Sequence, residues 1–265
     1  MGSATTDADA EAGPPVPALA DRAAACAARL RDAEEVLLCS HIDADGLTSA
    51  AVASTALARA DITHETVFFK QLDATELERV AATGYDTVLF TDFGSGQLDL
   101  VVEHTAAFTP VVADHHQPAD ADVEYHLNPL LVGLDGASEL SGAGASYVLA
   151  RALEGDGDNR DLAALAVVGA VGDMQDGDDG LTGANEGIVA DGVAAGVLAE
   201  ATDLTLYGKQ TRPLPKLLEY ASEARIPGIT NDANGAIEFL SDLDLPLKRD
   251  GDWRTWADLA PPERR

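Results

Sequence analysis

The chain has 265 residues, 46% of them hydrophobic, enough to bury one large core or one core with an appendage. Its 46 Asp and Glu against 17 Lys and Arg give a formal net charge of -29, and only four of the cations are lysine: Lys70, Lys209, Lys216 and Lys248. Acids spread along the whole length exclude a local acidic arm and docking on an anionic membrane, and they suit a halophilic, salt-accumulating cytoplasm where charge repulsion is screened. Because counterion release is weak in such salt, the acidity argues only mildly against a nucleic-acid substrate.

Residues 1–18, rich in Ala, Asp and Pro, lack the charged and apolar regions of a signal peptide and read as a disordered lead-in. Residues 19–33 predict a first helix and 35–39 a short buried strand. Then come a helix over 48–60, a strand over 65–69, and a helix over 73–83 with Gly84 at its stop. Strands at 86–91, 110–113 and 123–127 follow, with a short helix at 97–104 between the first two. This alternation predicts an α/β fold, a Rossmann-like, mostly parallel sheet flanked by helices, within a catalytic domain of residues 19–203. Its later part reads as helices at 141–153, 161–171 and 185–200, separated by Gly- and Asp-rich loops at 155–159 and 175–185. Past Leu204 the pattern changes, and helices starting at Arg212 and over 235–243 make 204–265 a C-terminal helical extension. Cys26 and Cys39 are far from any CxxC spacing, which suggests neither a zinc site nor a disulfide framework. No apolar run approaches the length of a membrane span.

Four acid-bearing segments punctuate this pattern: His41-Ile42-Asp43-Ala44-Asp45-Gly46, Thr91-Asp92-Phe93-Gly94, Asp114-His115-His116 and Gly169-Ala170-Val171-Gly172-Asp173. Three follow or end apolar strands, and carboxyl ends of parallel strands are where an open α/β sheet builds its ligand site. In an extended segment alternate residues point the same way, so His41, Asp43 and Asp45 would project side by side as three ligands. Oxygen-rich sites with one or two imidazoles and no thiolate favour Mn²⁺ or Mg²⁺ over Zn²⁺. A solvated acidic loop is the bland reading of that segment. Asp92 is either a ligand or a helix cap over the glycine turn. Asp173 closes the apolar run 162–171, where a buried acid needs a partner such as a cation. His64, His104 and His126 lack such company and read as ordinary surface or core histidines. Each segment is ambiguous alone, but their joint order points to a pair of hard divalent cations in a two-metal phosphoesterase. His116 would offset charge on the scissile phosphate.

Together these four segments resemble motifs one to four of the DHH phosphoesterase superfamily, and Ser141-Gly142-Ala143-Gly144-Ala145-Ser146-Tyr147 is also similar to the family's pattern. Within it the chain most resembles archaeal RecJ-like nucleases, including the GINS-associated nuclease. Arg212-Pro213-Leu214, Ile226-Pro227-Gly228 and Gly251-Asp252-Trp253-Arg254-Thr255 resemble the region after the catalytic domain in those proteins. The resemblance runs over about residues 33–258. It implies two Mn²⁺ ions, with Mg²⁺ as the substitute, held by His41, Asp43, Asp45, Asp92, His115 and Asp173. By the same resemblance Asp92 bridges the ions, Asp114 orients the neighbouring imidazole and His116 contacts phosphate. The implied activity is a Mn-dependent exonuclease on single-stranded DNA or RNA, in replication or repair, with a GINS-like replisome subunit as a partner. Two alternatives stay open: a phosphodiesterase of short oligonucleotides or cyclic dinucleotides, and a non-catalytic Cdc45-like scaffold. A complete ligand set weighs against the scaffold. The family's DHH-associated domain, with its glycine-rich, histidine-containing motif, has no counterpart in the sequence, so residues 204–265 are expected to lead toward a missing second domain.

Overall fold

The computed structural model describes residues 13–153, 157–177, 180–201, 206–221 and 225–264, and the chain divides into two compact units, 1–200 and 201–265. Residues 1–12 of the expected disordered lead-in lie outside the described residues, as do 155–156 and 178–179 of the two expected Gly/Asp loops.

The first unit is built on five parallel strands: β1 (Glu35–His41), β2 (Thr63–Phe69), β3 (Thr87–Thr91), β4 (Thr109–Ala113) and β5 (Tyr125–Leu127). Their spatial order is β2-β1-β3-β4-β5. The inner strands β1, β3 and β4 are short, mostly apolar runs because helices cover both faces, and β3 is buried at every position. The edge strand β2 instead mixes exposed and half-buried residues. Strand alternation divides their side chains between two cores. Val36, Leu38, Leu89, Val111 and Leu127 join one core with α1 (Ala20–Arg31) and α2 (Ala44–Arg59). Leu37, Cys39, Val88, Phe90 and Val112 join the other, with Leu77 of α3 (Ala74–Ala81) and Leu98 of α4 (Leu98–Val101). On the first face α5 (Gly142–Leu153), α6 (Ala163–Gly172) and α7 (Ala184–Ala194) extend the packing. A methyl on Gly169 would collide with Ala143, so the glycine permits the close approach of α6 to α5.

The expected α/β architecture is present, with informative differences at element ends. α2 begins at Ala44, not Thr48, because Asp43 caps it by accepting from the Gly46 N–H at 2.9 Å. The motif His41–Asp45 is therefore a strand end, a cap and a first helical turn, not one extended segment. α7 stops at Ala194, short of Glu200, and the chain then passes through Gly196 at a φ of 73°.

In the second unit α8 (Leu214–Glu219) and α9 (Ala233–Asp242) share a small core of Leu214, Leu218, Ile229, Ala236, Leu240 and Leu259. The unit also holds an antiparallel ribbon that the sequence reading did not anticipate. Its strands, β6 (Lys248–Arg249) and β7 (Asp252–Trp253), are joined by Asp250 and Gly251 at φ values of 55° and 96°. An Asp-Gly pair is a strong hairpin signal, but two-residue strands are too short to show alternation. Arg254, 8% exposed, ties the unit's end together through Glu263 and the carbonyls of Pro246 and Asp258. Among the described residues no helix is long and apolar enough to cross a membrane.

Candidate metal centre

In the order β2-β1-β3-β4-β5 the chain reverses its direction of travel between β1 and β3, and a crevice opens at the carboxyl ends of the strands beside such a reversal. His41 ends β1, Asp92 follows β3, and Asp114 and His115 follow β4. Asp43 and Asp45 open α2, and Asp173 stands at the end of α6. The fold thus brings all six predicted ligands together. His41, Asp43 and Asp92 form one group and Asp45, His115 and Asp173 another, each with ligand atoms within 4.8 Å of one another.

Asp92 sits between the groups. Its backbone is left-handed, at a φ of 60°, a conformation uncommon outside glycine, and its carboxylate is 2% exposed. Oδ2 lies 3.8 Å from His41 Nδ1, and Oδ1 lies 3.3 Å from His115 Nε2. Asp92 caps no helix: the short turn after it is preceded by Gly94 instead.

Both imidazoles are held by a main-chain carbonyl. His41 Nε2–H donates to the Lys70 carbonyl at 3.0 Å, which turns Nδ1 toward Asp43 Oδ2 at 2.8 Å and toward Asp92. His115 Nδ1–H donates to the Gly136 carbonyl at 2.7 Å, which leaves Nε2 between Asp45 Oδ2, at 3.7 Å, and Asp92 Oδ1. Each facing nitrogen then carries a lone pair toward carboxylate oxygens, an arrangement that needs a proton or a cation between them. Asp92 Oδ2 and His115 Nε2 are both buried without a hydrogen-bond partner. These two orphaned atoms, within a set of four carboxylates and two imidazoles, fit a pair of hard divalent ions.

The electrostatics agree. Burial pushes the Asp92 carboxyl up to about 8 and raises that of Asp45. Burial opposes charge on His115, yet the carboxylates of Asp92 and Asp114 beside it push its imidazole up to about 10. The cluster carries more negative charge than its burial tolerates, and it holds protons where cations would serve.

Other groups aim the ligands. The N–H groups of Gly142 and Ala143, at the start of α5, donate to Asp45 Oδ2 and Oδ1 at 2.7 and 2.9 Å. A Cβ on Gly142 would sit 2.5 Å from Asp92 Oδ1, so only glycine fits there. Asp173 has a side chain 32% exposed, so it is not the buried acid that its apolar run suggests. It stands against the negative end of the α6 dipole, a placement a cation would offset. Gln175 and Asn185, both buried, were not anticipated. Gln175 Nε2 donates to Asp173 Oδ2 at 2.9 Å and to the Gly136 carbonyl at 3.0 Å, and its Oε1 accepts from Asn185 Nδ2 at 2.8 Å.

Asp114 is fully buried and committed to hydrogen bonds. Oδ1 accepts from the N–H of His115 and from His116 Nδ1, and Oδ2 accepts from the Ser95 N–H. Burial works against its charge, but the His116 imidazole and these N–H donors hold the carboxyl well below the usual range. The ring it orients is that of His116, while Gly136 orients His115. Asp114 in turn raises the pKa of the half-exposed His116. His126 is a core histidine, one of the two readings its sequence left open. It is buried behind this motif, with Nε2 2.9 Å from Ser95 Oγ, and burial lowers its pKa. Asn128 Nδ2 bonds both Ser95 Oγ and the His116 carbonyl at 2.9 Å.

Comparison with known proteins bears on the family and the fold. The sequence model described as the DHH family, N-terminal domain, matches residues 35–170, and that of the DHH-CID domain matches residues 206–265. An uncharacterized protein of Methanocaldococcus jannaschii is 28% identical in an alignment 214 residues long that covers 78% of this chain and 47% of that protein. The crystal structure of RecJ in complex with Mn²⁺ from Thermus thermophilus matches with a TM-score of 0.53 and 26% identity, over 68% of this chain and 27% of that one. That of exonuclease RecJ bound to manganese matches with a TM-score of 0.53 and 25% identity, over 68% and 48%. CDC45 from Entamoeba histolytica, with a TM-score of 0.50 and 14% identity over 90% of this chain and 52% of that one, shares the fold. The chain spans less than half the length of the curated relative and of both RecJ chains.

Proposed function

The chain belongs to the DHH family, and from that premise we propose that it is a two-metal phosphoesterase that trims single-stranded DNA or RNA from an end. The observation that carries this reading is Asp92, whose two carboxylate oxygens face two carbonyl-held imidazoles, with Oδ2 and the facing His115 Nε2 buried and unpartnered. His41, Asp43 and Asp92 would hold one Mn²⁺, and Asp45, His115 and Asp173, with the second oxygen of Asp92, the other; Mg²⁺ suits the same donors. Similarity to RecJ structures that carry Mn²⁺ supports this choice of ion. When bound, the ions would supply Lewis acidity and lower the pKa of water at the centre.

The chain's own residues do the rest. The start of α5 keeps Asp45 turned into the centre, and the Lys70 and Gly136 carbonyls keep the two imidazoles in the tautomer that presents a lone pair. Asp114, tied to Nδ1 of His116, favours the charged imidazole and leaves Nε2 to meet a phosphate oxygen. We place the activity in replication or repair within a salt-accumulating cytoplasm, with a GINS-like replisome subunit as the partner. A complete set of six candidate ligands favours an enzyme over a Cdc45-like scaffold.

The test is product length over time from single-stranded DNA and RNA labelled at either end, in high KCl with Mn²⁺, with Asp92→Asn as the blank. Mononucleotides released progressively from one end, and absent from the blank, are expected. Turnover of di- or trinucleotides alone would replace the exonuclease with a small-substrate phosphodiesterase. Silence on every substrate would favour the scaffold.

A further inference from the structure

The chain's charge is divided unevenly between its two units. Residues 201–265 hold nine of the 17 Lys and Arg but only eleven of the 46 Asp and Glu, a net of -2 against -27 for residues 1–200. All the cation–π pairs found among the described residues lie in this smaller unit. Arg212 stands 4.8 Å from the centre of the Tyr207 ring and 5.8 Å from that of Tyr220, and Lys216 stands 5.1 Å over Tyr220. On the ribbon, Lys248 stands 4.6 Å over Trp253. These rings are not core residues: Tyr207 is 74% exposed, Tyr220 51% and Trp253 46%. The unit's core is aliphatic and makes no use of them.

We propose that the ladder Tyr207–Arg212–Tyr220–Lys216 is a binding platform for single-stranded nucleic acid, separate from the metal centre. The proposal rests on the reading that the substrate is a strand and not a dinucleotide. A single strand alternates planar bases with phosphates, and the ladder alternates exposed rings with cations. Every base has a face that can stack on tyrosine, and a guanidinium both stacks and pairs with phosphate, so such a platform grips a strand without regard to sequence. An acidic peptide would use the cations and leave the rings idle. Lys216 is also paired with Glu219 at 2.7 Å, which reduces its pull on phosphate and leaves more of the affinity to stacking.

The division of charge gives the platform its purpose. In the salt this composition suits, repulsion between a polyanion and the unit carrying -27 is screened, but that unit offers a strand no net attraction. A stacking platform on a nearly neutral unit supplies affinity that salt does not remove. Binding should therefore persist in molar KCl with a shallow salt slope, unlike binding by a basic groove.

The test uses the full chain in EDTA, so that no cleavage intervenes, and fluorescence anisotropy of labelled 20-mers of dT and U in high KCl. Tyr207→Ala and Tyr220→Ala are each expected to weaken binding about tenfold, and Phe at either position to keep it. Both Ala variants should retain the wild-type melting temperature and the wild-type rate on bis(p-nitrophenyl) phosphate with Mn²⁺. Wild-type affinity in both Ala variants would overturn the proposal, as would no strand binding by the wild type. So would equal competition by a poly-glutamate peptide, which would make the patch a protein-docking surface. If strands bind through the ladder but are never cut, the platform stands and the nuclease reading falls. If strands are cut normally while the Ala variants bind as wild type, the nuclease stands and the platform falls.

Discussion

Replacing Gln175 by leucine, a side chain of similar size, separates the residues that aim the metal centre from those that would bind metal. The amide makes three hydrogen bonds, to Asp173, to the Gly136 carbonyl and from Asn185. In the variant Gly136 keeps its bond from His115 Nδ1–H, but Asn185 Nδ2 loses its partner in a residue only 2% exposed. An orphaned buried donor costs about 1–3 kcal/mol, and that is the expected loss of stability in the metal-free protein. Asp173 loses the donor that fixes its rotamer, and His115 loses the second anchor of its carbonyl. Outer partners of this kind typically change metal affinity by about 10–100-fold, or about 1.4–2.8 kcal/mol. The effect should fall on the ion of the Asp45–His115–Asp173 group and spare that of the His41–Asp43–Asp92 group. Mn²⁺ titration followed by electron paramagnetic resonance of the free ion should show two sites of similar affinity in the wild type, and one strong and one weakened site in Gln175→Leu. Two undiminished sites in the variant would refute the argument that this amide positions the centre.

Three further outcomes follow from the same geometry. Asp92, pushed up to about 8, and His115, pushed up to about 10, both hold protons more tightly folded than unfolded, so their contribution to metal-free stability is whole at low pH and lost as pH rises through those values. The gain in melting temperature on adding Mn²⁺ to EDTA-treated protein should therefore grow from pH 6 to pH 9, and a flat difference would contradict it. Gly142→Ala places a methyl 2.5 Å from Asp92 Oδ1 and 2.9 Å from its Cα; overpacking of about 1–3 kcal/mol and weakened Mn²⁺ binding are expected in melts and titrations. Asp191 is 7% exposed, accepts from Tyr147 and is paired with Arg151 and Arg160 away from the centre. Asp191→Ala should cost about 3–5 kcal/mol in denaturant unfolding and leave Mn²⁺ affinity unchanged; lost metal binding would show that this network reaches the centre.

What could be read from the chain beforehand divides along a physical line. Strands buried on both faces are largely apolar, so β1, β3 and β4 stand out as short runs despite a buried Ser40, Thr87 and Thr91, and the acids at their ends stand out against them. The proposed metal ligands are equally legible, because coordination would restrict the residue type at His41, Asp45, Asp92 and His115 to a few donors. The path through Asp43 was misread because an acid before a turn looks the same whether the chain stays extended or enters a helix. The Gly46 N–H bond to Asp43 decides between them, and that bond forms only in the folded turn. The Gln175 and His126 networks left no trace for a different reason. Their bonds span 39 and 31 residues, and the aiming of a ligand can be done by an amide, a hydroxyl or a bare carbonyl such as Gly136. Nothing in the spacing of Gln175 or His126 marks them. Chemistry thus writes the candidate ligands into the sequence, while tertiary packing alone selects the groups that hold them. The consequence is experimental: substitutions at the ligands test which reaction the centre performs, and substitutions at Gln175 or Gly142 test whether this fold is what shapes it.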